Sequence, residues 1–307
     1  MINIIGKRVL FVWTSLVLFI VALIFLGVDG LKLGVEFSSG SMLTVHFKQA
    51  VTQPDLRQEL ARQGYTTAIV QQNTDTGDYI IRTQELNKEA KSKLEAALTA
   101  SFGELEEREF NSISPSVAAE TGQNAAIAVA VASIGILLYL FWAFRRVPRA
   151  IHYATCAVIA LVHDAVIVMG VFAILGRFGW EINLMFITGI LAIIGYSVNN
   201  VVIIFDRIRE NVRLGVSGDF TVVVNNSVVE TIGRGMNTSL TTIFTVVAVM
   251  LFVGSSIQNF VVVLLVGIVM GVYSSLFVAP TLLVMWDRGE WRRLLPGLGA
   301  KTAKAAG

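Results

Sequence analysis

Six stretches of this chain are long and apolar enough to cross a bilayer, and they limit the fold before any motif is read. They are Val9–Val28, Ala125–Phe144, Ile151–Leu175, Ile182–Phe205, Met236–Gly254 and Val261–Trp286, against the roughly 20 residues a spanning helix needs. In hydrocarbon every backbone N–H and C=O has to find its partner within the protein, so spans of this kind are helices. Of the 307 residues 54% are hydrophobic and 15% charged, whereas soluble domains carry about 25% charged. The expected fold class is an α-helical polytopic membrane protein with six transmembrane helices.

Basic residues set the expected sidedness, because Lys and Arg gather on the cytoplasmic side of short loops. Lys7 and Arg8 precede the first span; Arg145, Arg146 and Arg149 follow the second; Arg207, Arg209 and Arg213 close the fourth; Arg288, Arg292, Arg293, Lys301 and Lys304 follow the sixth. The exit of the third span, residues 176–181, holds a single basic residue, and the turn after the fifth holds none. Both termini are therefore expected in the cytoplasm, with residues 1–29 carrying a retained first helix and residues 287–307 a cytoplasmic tail. A cleaved signal peptide would have a shorter apolar core and a small-residue cleavage site. Residues 219–232 are expected to lie as an amphipathic segment at the inner surface.

Residues 30–123 turn polar and read as one compact domain on the outer side. Strand character at Ser41–Phe47 is followed by a helix at Pro54–Gln63 that stops at Gly64. Short strands at Thr67–Gln72 and Asp78–Thr83 flank the turn-rich segment Asn73–Gly77, and an amphipathic helix at Asn87–Phe102 ends at Gly103 before a last strand at Glu106–Ile113. The order β-α-β-β-α-β is that of a ferredoxin-like α+β unit. Its charges, among them Asp55, Arg57, Glu59, Glu104, Glu106 and Glu107, read first as a solvated face.

Ordinary enzyme chemistry has no support. Cys156 is the only cysteine, and His46, His152 and His163 are scattered without ligand spacing, so neither a disulfide framework nor a cysteine metal site is expected. The chain contains no phosphate-binding or dinucleotide glycine pattern and no nucleophile elbow. Basic residues are not interleaved with exposed aromatics, which argues against nucleic acid as a partner. No cofactor is expected.

Polar groups within the spans carry the functional argument, since ionisable side chains at membrane depth are costly unless they face protein or water. His163 and Asp164 fall near the middle of the third span. Tyr196, Ser197, Asn199 and Asn200 lie within the fourth, which runs into the dense charge of Asp206, Arg207, Arg209 and Glu210. In the fifth, Arg234, Asn237, Thr238, Thr241, Thr242 and Thr245 recur at helical spacing on one face. Two readings stand for these groups: a proton path or gate, and helix packing through buried hydrogen bonds. In the sixth span Gly267 and Gly271 form a small-xxx-small pair followed by Ser274 and Ser275, read as close packing, and Pro280 is expected to kink the last turns. The third, fourth and fifth spans are expected to share a polar interface.

Taken together these residues resemble the SecD/SecF protein-export family, and in particular its SecF-type members, within the resistance-nodulation-division (RND) superfamily of proton-driven transporters. Gly34-Val-Glu-Phe-Ser-Ser-Gly40 is similar to the family's G-x-D-F-x-G-G element, with Glu36 and Ser39 as departures. Ser114-Pro115, the His163-Asp164 pair, Gly195-Tyr-Ser-Val-Asn-Asn200 with Phe205-Asp-Arg-Ile-Arg-Glu-Asn211, and Arg234-Gly-Met-Asn-Thr-Ser-Leu-Thr-Thr242 are similar to further family elements in the same order. The resemblance implies half of an RND-type permease that pairs with a SecD-like subunit, associates with the SecYEG channel in the bacterial inner membrane, and uses the proton motive force to help draw exported polypeptide out. It also implies that residues 30–123 handle the emerging chain or dock a partner.

One departure bears on mechanism. Where the family signature has an aspartate regarded as part of the proton path, this chain has Asn200, and an amide cannot alternate between charged and neutral forms. Either the partner subunit supplies the titrating carboxylate, or Asp164 does, or coupling is weak or absent. Two other functions stay open: a scaffold subunit that transduces no energy, and half of a small-molecule exporter of the same superfamily.

Overall fold

The computed structural model describes residues 3–72, 76–145, 150–252 and 255–290. Asn73, Arg146, Arg149, Gly254, Arg292, Arg293, Lys301 and Lys304 lie outside the described residues. The chain divides into a helical unit (residues 1–31, 129–180 and 185–307) and an α+β unit (32–128 and 181–184).

In the α+β unit, alternation of apolar residues builds a four-stranded sheet: β1 (Gly40–Phe47), β2 (Ile69–Gln72), β3 (Tyr79–Thr83) and β4 (Leu105–Ile113), in the order β2-β3-β1-β4 with every neighbouring pair antiparallel. Numbering the helices of the chain in order, α1 is Arg8–Val28, α2 the single turn Val35–Ser38, α3 Gln53–Arg62 and α4 Lys88–Phe102. Thr52 caps α3 by accepting the Asp55 N–H, and Asn87 caps α4 by accepting the Ala90 N–H at 2.8 Å, each satisfying one of the donors a helix start leaves free. Gly103 ends α4 with φ +83°. Leu43, Val45 and Ile81 from the sheet are buried with Leu56 and Leu60 of α3 and Leu94 and Leu98 of α4. This is the ferredoxin-like arrangement expected from the pattern.

The first strand is entered through strained backbone. Ser39 has φ +62° and ψ 168°, a region essentially reserved for glycine that costs other residues about 1–3 kcal/mol. Ser39→Gly is therefore expected to stabilise the α+β unit by about 1 kcal/mol after allowing for the greater freedom of Gly in the unfolded chain. Pulse proteolysis of the purified chain in a urea series measures it.

The six candidate spans are α1 with its preceding turn, α5 (Pro115–Phe144), α6 (Ala150–Leu175), α7 (Leu184–Arg213), α8 (Phe220–Phe252) and a sixth helix made of α9 (Ser255–Tyr273), a π-helical turn (Ser274–Val278) and α10 (Ala279–Asp287). This is a multi-pass membrane protein. Two helix starts differ from expectation. α5 begins at Pro115, so the last residues of the α+β unit, 115–128, are already the opening turns of a helix that runs on to Phe144.

Residues 219–232 do not form a separate surface segment. α8 is one continuous helix through Gly233 and Gly235, and Val223, Val224, Ser227, Val228 and Thr231 are buried, Val224 and Val228 in a cluster with Ile204, Phe205 and Ile208 of α7. Packing on that side outweighs the two glycines, each of which costs only about 1 kcal/mol in a helix. Pro280, which lacks the N–H that would continue the ladder, is preceded by the π turn, a register change that absorbs the missing bond.

Candidate functional site

Small residues let the helices approach. A Cβ on Gly267 would collide with the Ile193 side chain, and one on Gly271 would lie 3.3 Å from Cβ of Ser197, so the sixth helix packs directly on α7. That approach places the π turn beside the middle of α6. The Asp164 carboxylate is 3% exposed, and its Oδ2 accepts hydrogen bonds from Ser197 Oγ of α7 at 2.7 Å and from Ser274 Oγ of the π turn at 2.6 Å. His163 Nδ1 lies 3.2 Å from Oδ1 of the same carboxylate. Three helices thus converge on one acid, and among the described residues Asp164 is the only buried carboxylate of the helical unit.

The imidazole extends the network towards α1. Its ring is in contact with those of Phe19 (centroids 6.3 Å apart) and Tyr273 (6.5 Å), and Tyr273 shares a 3.1 Å hydrogen bond with Ser15. His163 Nε2 is buried with no protein partner. A carboxylate bonded to two hydroxyls and an imidazole can hold a proton or release it along the network, which is the chemistry open to this cluster.

Asn200 sits elsewhere. It is 5% exposed, its amide nitrogen has no protein partner, and with Thr231, Gly235, Val272 and Ser275 it lines a cavity of about 10 Å³, room for about one water molecule. Asn199 is exposed, and Tyr196 donates to Ser239 of α8 at 2.8 Å.

The α8 stripe does not join the acid. Arg234, Asn237, Thr238 and Thr241 are exposed on the chain, and the threonine hydroxyls donate back to their own helix: Thr238 to the Arg234 carbonyl, Thr241 to that of Asn237, Thr242 to that of Thr238 and Thr245 to that of Thr241. The interface expected of the third, fourth and fifth spans is therefore corrected in part: around the acid it joins the third, fourth and sixth, while the fourth and fifth meet apart from it through Tyr196 with Ser239 and Asn211 with Ser227. Buried valines, Ser227, Thr231 and Ser239 decide which side of α8 faces the bundle, and the Arg234 stripe falls outside it. Ser274, read from sequence as packing, is the ligand of Asp164 that was missed. Only the Ser-Ser pair ahead of Pro280 hinted at it.

Charge collects at the end of the bundle where α7 closes and α8 opens. Arg207 donates to Glu230 and to Glu210, each at 2.6 Å, and Arg209 pairs with Asp206 at 2.5 Å. Asn211 joins Ser227 to Glu230, and Arg8 grips Glu290 through two nitrogens. Arg288 and the Thr221 backbone N–H hold the Asp219 carboxyl below the usual carboxylate range. Arg207 and Arg209 pair with the acidic residues beside them, and Glu230, a partner the sequence pattern does not single out, is held by Arg207 and by Asn211 at the end of the motif. Among the described residues no group of three or more His, Cys, Asp or Glu could hold a metal ion.

Six spanning helices, a ferredoxin-like insertion after the first, and one buried acid at a three-helix junction define an RND-like membrane protein. A family model described as protein export membrane protein SecD/SecF, C-terminal, matches residues 93–289, and one described as the SecD/SecF GG motif matches residues 24–51. The chain belongs to the SecD/SecF protein-export family.

Two relatives named protein translocase subunit SecF are similar along nearly their whole length. That of Thermobaculum terrenum is 41% identical over 96% of each chain, and that of Anaerolinea thermophila 37% identical over 99% of this chain and 100% of the relative. Among solved structures, the crystal structure of SecDF from Thermus thermophilus, described as a translocon-associated membrane protein, superposes with a TM-score of 0.83 at 29% identity. The match covers 94% of this chain and 39% of the SecDF chain.

Proposed function

We propose that this chain is the SecF-type subunit of a protein-export translocase in the bacterial inner membrane and couples proton movement to the passage of unfolded polypeptide. It works with a SecD-like subunit, and the two sit beside a SecYEG channel. The match leaves most of the SecDF chain uncovered, which supports a separate partner in that place. Both termini face the cytoplasm, the charged bundle end lies there, and the α+β unit (residues 30–123 in the expected division) stands on the outer side, where exported chain emerges.

The observation that carries the coupling role is Asp164, a carboxylate buried in the bundle and bonded by three helices' side chains. A buried ionisable group at membrane depth is costly to keep and marks an ion or proton pathway by default. In this reading Asp164 exchanges a proton with His163, and the change of charge alters the hold of Ser197 and Ser274. α7 and the sixth helix are thereby tied less or more tightly at one point. The exposed α8 stripe, with Arg234 meeting no carboxylate among the described residues, faces the partner subunit, whose own acid would complete the path.

Asn200 favours a second reading, a scaffold subunit that carries no protons, because its amide takes the place of the family's acid. Export by the reconstituted complex, with and without a proton gradient, separates the two. The coupling reading expects gradient-stimulated export from the unaltered chain, and it expects Asn200→Asp to change the size of the stimulation without creating it. Export indifferent to the gradient until Asn200→Asp is introduced would establish the scaffold reading. Transport of a dye without any protein substrate would instead point to a small-molecule exporter.

A further inference from the structure

We infer that residues 181–184, the end of the connection from α6 together with the first residue of α7, are a strap belonging to the α+β unit that delivers that unit's displacement to α7, with Arg82 and Glu181 as its positioning residues; this deepens the coupling reading above and rests on it. These four residues cluster with the α+β unit and not with the helices they join. The Gly34 N–H donates to the Ile182 carbonyl at 2.8 Å and the Ile182 N–H to the Lys32 carbonyl at 2.7 Å, with a parallel bridge between Leu33 and Ile182. The chain that leads into α2 and β1 is thereby paired with the connection by main-chain bonds.

A largely enclosed ion pair fixes the register. Arg82, near the end of β3, meets Glu181, with side chains 15% and 14% exposed, and Glu36 adds a second negative charge beside the guanidinium. A pair this enclosed is costly to break, because the remaining charge is left desolvated. Gly34 permits the approach: a Cβ there would lie 3.2 Å from the Ile182 carbonyl oxygen and 2.6 Å from Glu36. The element Gly34–Gly40 thus has a mechanical meaning, since its first glycine seats the strap and its acidic residue faces the arginine that holds it.

The route onward is short and stiff. Only Asn183 separates Ile182 from the first residue of α7, and no glycine intervenes. α7 carries Ser197, one of the three groups on Asp164. On the α1 side, by contrast, Gly30 with φ +65° lies between helix and strap. A pull on the α+β unit is therefore passed to α7 through a nearly inextensible tether, while α1 has a pivot.

The test uses the full chain assembled with its partner, carrying Arg82→Glu, Glu181→Arg or both, with two readouts. Hydrogen exchange at the Gly34 and Ile182 amides reports the strap, and amides of β1 and β3 report folding. The single variants are expected to raise strap exchange about tenfold or more with the sheet still protected, and to lower gradient-stimulated export while export without a gradient is unchanged. The double variant, which restores opposite charges, is expected to recover both readouts. Strap amides that stay protected in the single variants, an opened strap with full gradient stimulation, or a double variant as defective as the singles would each overturn the inference. An unaltered chain whose export ignores the gradient would overturn the functional reading and the coupling role together. The exchange data would then show separately whether the strap exists.

Discussion

Export by the Asp164→Asn variant is expected to lose its gradient-stimulated part and to fall to the rate measured without a gradient. The amide is nearly the size of the acid and still accepts hydrogen bonds, so Ser197, Ser274 and His163 keep a partner and the bundle assembles. What the amide lacks is a second charge state. Asp164→Leu is expected to act differently. It removes the acceptor that Ser197 and Ser274 reach at 2.7 and 2.6 Å, leaving buried hydroxyls unpaired at about 1–3 kcal/mol each, so its yield in the membrane falls as well. Measuring export and assembled protein side by side for the two variants separates the protonic role from the packing role. Equal loss of assembly in both would assign Asp164 to structure.

Gly40→Ala is expected to cause the largest loss of stability in the α+β unit. Gly40 has φ +114°, which L side chains rarely adopt, and a Cβ there would lie 2.6 Å from the Thr83 carbonyl oxygen. That carbonyl belongs to the β3 backbone and cannot swing aside as a side chain would. Strain of about 1–3 kcal/mol from the dihedral adds to an overpacking cost of about 1–3 kcal/mol. The sheet should therefore open at its first residue, with early proteolysis within residues 32–128. Ser39→Gly, one position earlier, has the opposite expected sign, and the two together test the backbone geometry without touching the bundle.

Local patterns made much of this legible in the sequence. The strands of the ferredoxin-like unit follow alternation bounded by Gly64 and Gly103, and the spans follow from length and hydropathy, because lipid leaves backbone polar groups few options. Asp206, Arg207, Arg209 and Glu210 were found as a charged bundle end because their spacing on one helix already brings them together. What escaped was non-local. Ser274 reaches Asp164 across 110 residues, and it does so from a π turn that no periodicity announces. The α8 stripe was recognised as one face, but which face of a helix meets its neighbours depends on all the residues packed there, and Ser227, Thr231 and Ser239 looked no less polar than the stripe. The inferred strap left no trace in the pattern because it joins main-chain groups, which every residue carries alike, and one ion pair between residues far apart in the chain.

The central claim is that a proton at Asp164 moves when this subunit works, and infrared difference spectroscopy of the reconstituted complex, recorded as a proton gradient is imposed, tests it most directly. A carboxyl stretching band that responds to the gradient in the unaltered chain and is missing from Asp164→Asn is the predicted result. Difference spectra that are identical for the two proteins would contradict it.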